Sequence, residues 1–184
     1  MINEIYKDTE ERMDKAVEKT RHDLATIRTG RASTALLDGI KVDYYGTKTP
    51  LNQLAQVNAP EPRLLTIQPY EKNIIPDVER AILESDLGLN PQNDGTIIRL
   101  PIPELTKERR EELTRYVHKL AEEGRIAVRN IRRDANDHIK ELEKEHEISE
   151  DNARRALETI QTYTDEHIDT IDELLKHKEE EIQE

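Results

Sequence analysis

The sequence contains no cysteine, no phenylalanine and no tryptophan, and aromatic residues make up only 3% of its 184 positions. Without cysteine there are no disulfides, no thiolate zinc sites and no cysteine nucleophile, a composition compatible with a reducing compartment. Apolar residues reach 34% against 37% charged. That is too thin for one thick globular core, but it suits long amphipathic helices, which need one apolar stripe each. No apolar run approaches the roughly 20 residues of a membrane span. The opening Met1-Ile2-Asn3-Glu4 lacks the apolar segment of a signal peptide. The expectation is a soluble, cytoplasmic protein with no membrane partner. Charge this dense also suits a disordered chain, but Leu, Ile and Val recur at regular spacing over long stretches, which disorder does not require.

Catalytic signatures are missing too. Gly30-Arg31-Ala32-Ser33 lacks the Gly-Lys-Ser/Thr ending of a phosphate loop, and no His-Glu-x-x-His pair occurs. The histidines at 22, 118, 138, 146, 167 and 177 are scattered along helical stretches. They read as solvated surface groups, because a metal site needs convergent ligands and a supporting shell. His118 and Glu122 stand one turn apart, as many such pairs do in a charged helix. The carboxylate pairs near the C-terminus likewise read as a solvated face rather than acid–base machinery. No enzyme, catalytic residue, metal or cofactor is expected. Tyr44-Tyr45 invites a base-stacking reading, but neighbours on a strand point to opposite faces, so core plus surface packing is the simpler account.

What is present is organised. Over residues 2–28, Ile5, Met13, Ala16, Val17, Leu24 and Ile27 keep a three–four spacing with no Gly or Pro inside, which predicts a helix. Residues 30–105 hold all eight prolines and five of the six glycines. There, Ile40, Val42 and Tyr44 alternate as a half-buried strand does, with Gly46 suited to the following turn. Leu54–Val57 and Leu64–Ile67 suggest two more strands. Residues 74–85 suggest a short helix with Pro76 in its first turn, and Asn93-Asp94-Gly95 a turn before a strand at Thr96–Leu100. From a cap at Thr106, apolar positions run through Leu113, Val117, Leu120, Gly124, Val128, Ile131, Ala135, Ile139 and Leu142, all on one face. Gly124 on that stripe costs about 1 kcal/mol relative to Ala, which a close helix crossing would explain. Glu145–Glu147 ends this helix, and Ser149 caps a third that carries Ala153, Leu157, Ile160, Ile168, Ile171, Leu175 and Ile182. The predicted fold is α+β. A three-helix bundle rod of residues 1–29 and 106–184 carries a small β-rich α/β domain, residues 30–105, inserted between helices 1 and 2. The middle helix, about 38 residues, would be about 57 Å long.

The net charge is −12, but residues 107–133 carry +4 while residues 134–184 carry −12. The basic region is therefore local. With Arg125 at 0° on a helical wheel, Arg129 falls at about 40°, Arg132 at about −20° and Arg133 at about 80°. Gly124, Val128 and Ile131 fall at about −100°, −60° and −120°, so the arginines lie beside the core stripe and largely outside it. Two readings stand. The face is either solvated and paired with acids on the neighbouring helices, or it grips an RNA backbone, for which the guanidinium fork is suited. Four phosphates so neutralised would give a log–log salt slope of about −3. A coiled-coil or assembly protein remains the rival class.

Several motifs together resemble one family. They are Ile27-Arg28-Thr29-Gly30-Arg31-Ala32-Ser33, Leu37-Asp38-Gly39-Ile40, Tyr44-Tyr45-Gly46-Thr47, Thr49-Pro50-Leu51, Ser85 to Pro91, Leu105-Thr106 with Glu108-Arg109-Arg110, Ala127 to Asn136, and Glu147 to Asp151. Over essentially its whole length the chain resembles bacterial ribosome recycling factors. The resemblance implies a monomeric, L-shaped translation factor that approximates a tRNA and is not an enzyme. It implies binding to rRNA of the large ribosomal subunit, and splitting of the post-termination ribosome into subunits with elongation factor G and GTP. It carries rRNA contact to Arg132 first, then Arg129, then Arg133, Arg110 and Arg28, beside Arg125 on the same face. It also places an interdomain hinge at Gly30 and Arg31 and at Pro101, Ile102 and Pro103.

Overall fold

A computed structural model describes all residues, Met1–Glu184. In chain order the elements are α1 (Ile2–Ala25), β1 (Lys41–Tyr44), β2 (Thr47–Pro50), α2 (Leu51–Leu54), β3 (Ala55–Glu61), β4 (Leu64–Pro69), α3 (Ile75–Glu84), β5 (Gln92–Asn93), β6 (Ile98–Pro101), α4 (Lys107–Lys144) and α5 (Glu150–Gln183). The chain divides into two compact units, Met1–Arg28 with Lys107–Glu184, and Thr29–Thr106. The fold is helical with a small β-sheet unit, as the sequence implies.

In the helical unit, every position of the expected α4 stripe from Leu113 to Leu142 is buried, Gly124 included, and Ala121 joins it. Its partners are Ile5, Met13, Val17 and Leu24 of α1 and Ala153, Ala156, Ile160, Ile171, Leu175 and Ile182 of α5. Three threonines, Thr9, Thr20 and Thr164, are buried among them. Thr20 and Thr164 donate their hydroxyls to the carbonyls of Ala16 and Ile160, one turn back, at 3.0 and 2.8 Å, so neither is an unpaired polar group in the core.

Local chemistry sets the helix ends. α1 stops at Ala25 rather than residue 28, where the Thr26 hydroxyl donates to the Asp23 carbonyl and the Ile27 N–H to the Leu24 carbonyl. These tighter bonds close the last turn. α4 ends where His146 takes φ +59°. The Glu147 N–H then reaches back to the Leu142 carbonyl at 2.9 Å, and that of His146 to Glu143 at 3.0 Å. This pattern satisfies carbonyls the helix leaves open. Ser149 caps α5 as expected, its Oγ accepting from the Asn152 N–H at 3.1 Å.

In the inserted unit, β3, β4, β6 and β5 form an antiparallel sheet in that order, and β1 and β2 form a separate hairpin. Val42, Leu65, Ile67, Val78, Ile82, Ile98 and Leu100 are fully buried together at its core. Pro76 lies in the first turn of α3. The strand expected at Leu54–Val57 starts only at Ala55, because Leu51–Leu54 makes a helical turn. The strand expected from Thr96 starts at Ile98. The amides of Thr96 and Ile97 are held instead by the Asp94 carboxylate, at 3.0 and 2.9 Å, which also accepts from Arg99. Those donors lower the Asp94 pKa to about 2. One expectation is corrected outright. Tyr45 is not a strand residue facing away from Tyr44. It turns the hairpin with φ +49°, followed by Gly46 at +82°, the paired positive φ of a tight β-turn. The two rings therefore touch, with centroids 4.5 Å apart.

The residues expected at the junction separate. Pro101 lies in β6 opposite Leu64, while Ile102 is buried in the inserted core and donates its N–H to the Arg63 carbonyl at 2.8 Å. Both belong to the inserted unit rather than to a slack connection. Gly30 adopts φ +77°, and a Cβ there would come within 2.9 Å of Leu105 Cγ. Arg31 and Pro103 are exposed.

The anticipated close crossing at Gly124 is present. A Cβ on this glycine would overlap Thr20 Oγ1 of α1 and lie 3.2 Å from Ile171 Cδ1 of α5. Alanine is the better helix former by about 1 kcal/mol, so at an open position Gly124→Ala would stabilise. Here it is expected to destabilise by about 1–3 kcal/mol through overpacking, read as a lower urea midpoint. Thr20→Ala in the same chain is expected to restore most of the loss. A midpoint at or above that of the parent protein refutes the close approach.

Candidate nucleic-acid interface

The apolar stripe turns one side of α4 to its neighbours and leaves the other to solvent. The arginines stand on the border nearest α5, and the structure sorts them by what holds them. Arg125 is a cross-link. Its Nε and Nη2 reach Asp172 Oδ1 of α5 at 2.8 and 2.7 Å, and its Nη1 reaches Glu122 at 3.1 Å. Its side chain is only 18% exposed. Burial works against its charge, but Asp172 and Glu122 outweigh burial and raise its pKa. All three nitrogens are engaged with acids, so the acid-paired reading describes Arg125 in the chain itself.

Arg129 is shared. Its Nη1 donates to Glu122 Oε1 at 3.1 Å, while 41% of the side chain stays exposed. Glu122 thus sits between two arginines, and Arg129 first, then Arg125, lower its pKa below the ordinary glutamate range. This acid was legible in the sequence. On the same wheel it falls at about 60°, between Arg129 and Arg133. A reading confined to residues 125–133 passes it by.

Arg132 and Arg133 carry no ion pair. Arg132 Nη1 donates to Gln161 Oε1 of α5 at 3.0 Å, and its Nε is buried without a partner. Arg133 is exposed and bonds to nothing in the chain. Arg28 is likewise exposed and unpaired. Arg110 is half-buried, with its Nε unpartnered. The sequence reading missed four further cations. Arg115, Lys119, Lys140 and Lys144 are exposed and unpaired, at about 80°, 120°, 60° and 100° on the wheel. The signal was their angle, hidden because Glu108, Glu111, Glu112 and Glu123 dilute the charge around Arg115 and Lys119, and Asp137, Glu141, Glu143 and Glu145 that around Lys140 and Lys144. The outward side of α4 therefore carries cations without ion pairs around Arg133, interspersed with the exposed acids Glu108, Glu111 and Asp137. Such cations neutralise phosphates without reading bases.

Five of the six histidines are exposed, and only His167 is partly buried. His118 pairs with Glu179 of α5 rather than Glu122. His167 lies between the Tyr163 carbonyl and Asp14 of α1, both at 2.6 Å. No three His, Asp or Glu side chains converge as metal ligands, and no helix is long and apolar enough to cross a membrane.

Comparison with known proteins places these features in context. The family model described as ribosome recycling factor matches residues 20–182. The ribosome-recycling factor of Halothermothrix orenii is 55% identical over 184 residues, covering 100% of both chains. That of Rubrobacter xylanophilus is 59% identical over 177 residues, 96% of this chain and 95% of its own. A solution structure of the ribosome recycling factor superposes with a TM-score of 0.70 at 48% identity, over 99% of this chain and 97% of that one. A second structure has a TM-score of 0.63 at 50% identity, over 99% and 98% of the two chains. It is described as models of the T. thermophilus ribosome recycling factor and the E. coli elongation factor G bound to the E. coli post-termination complex.

Glu122 offers a direct test of the electrostatics. Glu122→Gln removes one negative charge from between Arg125 and Arg129. It is expected to tighten binding to a generic duplex RNA several-fold at low salt, with the gain fading as salt rises. Because the pairs are exposed at Glu122, the melting temperature should shift little. Unchanged RNA affinity at low salt refutes the account of Glu122 as a local brake.

Proposed function

The chain belongs to the ribosome recycling factor family, and from that premise we propose that it releases ribosomes from mRNA after termination. In this reading it splits the post-termination ribosome into subunits together with elongation factor G and GTP. The single observation that carries the mechanism is the group of cations on α4 without ion pairs, Arg132 and Arg133 foremost. The rod docks on rRNA of the large subunit through Arg132, Arg133 and the free part of Arg129, with Arg28 and Arg110 as further contacts. Its own residues do no bond chemistry. Elongation factor G hydrolyses the GTP, and this chain, acting as a cytoplasmic monomer, transmits the force.

Transmission needs stiffness, and α4 and α5 supply it as continuous helices of 38 and 34 residues joined along one apolar seam. The chain bends at Gly30, Arg31 and Pro103, and the inserted unit meets elongation factor G. Pro101 and Ile102 take part as fixed ends of that unit.

Arg132→Ala is expected to weaken binding to purified large subunits about tenfold, in the range of a charge-assisted contact. The log–log salt slope should become shallower by about 0.7–0.9, with helicity and melting temperature nearly unchanged. Subunit splitting with elongation factor G and GTP, followed by light scattering, should slow in parallel. Unaltered large-subunit binding across the salt titration sinks the anchoring role. A stable oligomer without salt-sensitive ribosome binding would support the assembly-protein alternative.

A further inference from the structure

We propose that Gln161 of α5, oriented by Asp165, is a positioning residue that holds the guanidinium of Arg132 in its docking pose; this rests on the reading of Arg132 as an rRNA anchor.

Gln161 Oε1 accepts from Arg132 Nη1 at 3.0 Å, while Gln161 Nε2 donates to Asp165 Oδ1 at 2.8 Å. An amide has one accepting and one donating end. Only one of its two flips satisfies both neighbours, because the arginine offers only donors and the carboxylate only acceptors. Asp165 therefore sets which end of Gln161 faces Arg132. Gln161 and Asp165 are one turn apart on α5, so the helix itself fixes their spacing.

The consequence falls on Arg132. A free arginine on a helix surface samples many rotamers, and ordering one on binding costs affinity. Here the Nε is enclosed without a partner and Nη1 is tied to Gln161. Nη2 bonds to nothing in the chain and does not belong to the enclosed set. The side chain is thereby fixed with its far nitrogen outward. The choice of amide over acid matters. Arg125, seven residues or about two turns away, meets carboxylates that offset its charge. Arg132 meets a neutral acceptor, which orients the guanidinium and leaves its full positive charge for a phosphate.

The test uses the full chain and purified large ribosomal subunits, with affinity measured between about 50 and 200 mM salt. Gln161→Met keeps length and helix propensity but removes the acceptor. It is expected to bind about fivefold more weakly at every salt, with an unchanged slope, because the number of phosphates met is the same. Arg132→Ala should weaken binding and also flatten the slope. The double variant should bind no more weakly than Arg132→Ala alone. Gln161→Glu gives Arg132 a carboxylate, and its slope should flatten by about 0.7–0.9 although the arginine is still present. A glutamine that acted only on the fold would weaken binding independently of Arg132, so the double variant tells the two roles apart. Gln161→Met binding like the parent while Arg132→Ala is weakened overturns the positioning role and leaves the anchor standing. Losses that multiply in the double variant overturn it too, since Gln161 would then act elsewhere. If Arg132→Ala itself binds like the parent, the anchor fails and the positioning role falls with it.

Discussion

The bundle depends on how closely its three helices meet at Gly124. This residue alone on the α4 stripe presents no side chain, and Thr20 of α1 and Ile171 of α5 fill the space. A thin composition makes the approach necessary. With no Phe and no Trp, the core is built from Leu, Ile, Val, Met and Ala, with threonines completing it. Large aromatic rings cannot bridge a wide gap here, so the backbones come together instead. A buried aliphatic side chain contributes about 1.5–3 kcal/mol, against about 0–1 kcal/mol for an exposed ion pair. The apolar seam, not the many surface pairs, therefore sets the stability of the rod.

That ranking explains what the charged residues are for. Arg12 with Asp134 joins α1 to α4 at 3.0 Å, with both side chains more than 40% exposed. Arg125 with Asp172 joins α4 to α5. Pairs of this kind contribute little net energy but set which helix faces meet. The same pairing would be harmful at a docking surface, because each acid cancels a cation. On the α4 border the two uses are divided by position. Arg125 is absorbed by the fold, Arg129 is shared, and Arg132 and Arg133 are left without acids.

How much of this was legible in the sequence depends on the range of the interaction. The helices, the Ser149 cap and the insert between α1 and α4 follow from periodicity, proline placement and short-range capping, all local signals. Gly124 was legible as an anomaly, since a glycine on a core stripe asks for a neighbour. Its partners were not legible, because Thr20 and Ile171 lie on other helices. The start of β6 was misjudged because a side chain, Asp94, outcompetes the ladder for two amides. Tyr45 was misjudged because alternation was extended one residue past the strand into the turn. At the arginine face, Glu122 was visible on the wheel, whereas Asp172 and Gln161 were not. The face was therefore recognisable as basic, but the difference between Arg125 and Arg132 required the register of α4 against α5.

The same register bears on why an acidic chain suits an RNA surface. At physiological salt, charges more than about 8 Å apart are largely screened. The acids along the far side of α5 and toward its C-terminus therefore act on approach and hardly at all on the formed contact. The acids bonded into the α4–α5 border are Glu122, Asp172 and, through Gln161, Asp165. Two of them pair with Arg125 and Arg129, and the third reaches Arg132 only through a neutral amide. The arrangement reduces the number of free cations while fixing the direction of those that remain. In the proposed role, a factor that docks once per cycle and must then leave is better served by a few fixed contacts than by many loose ones. A small phosphate footprint keeps release fast, and preorganisation recovers part of the affinity that the acids remove.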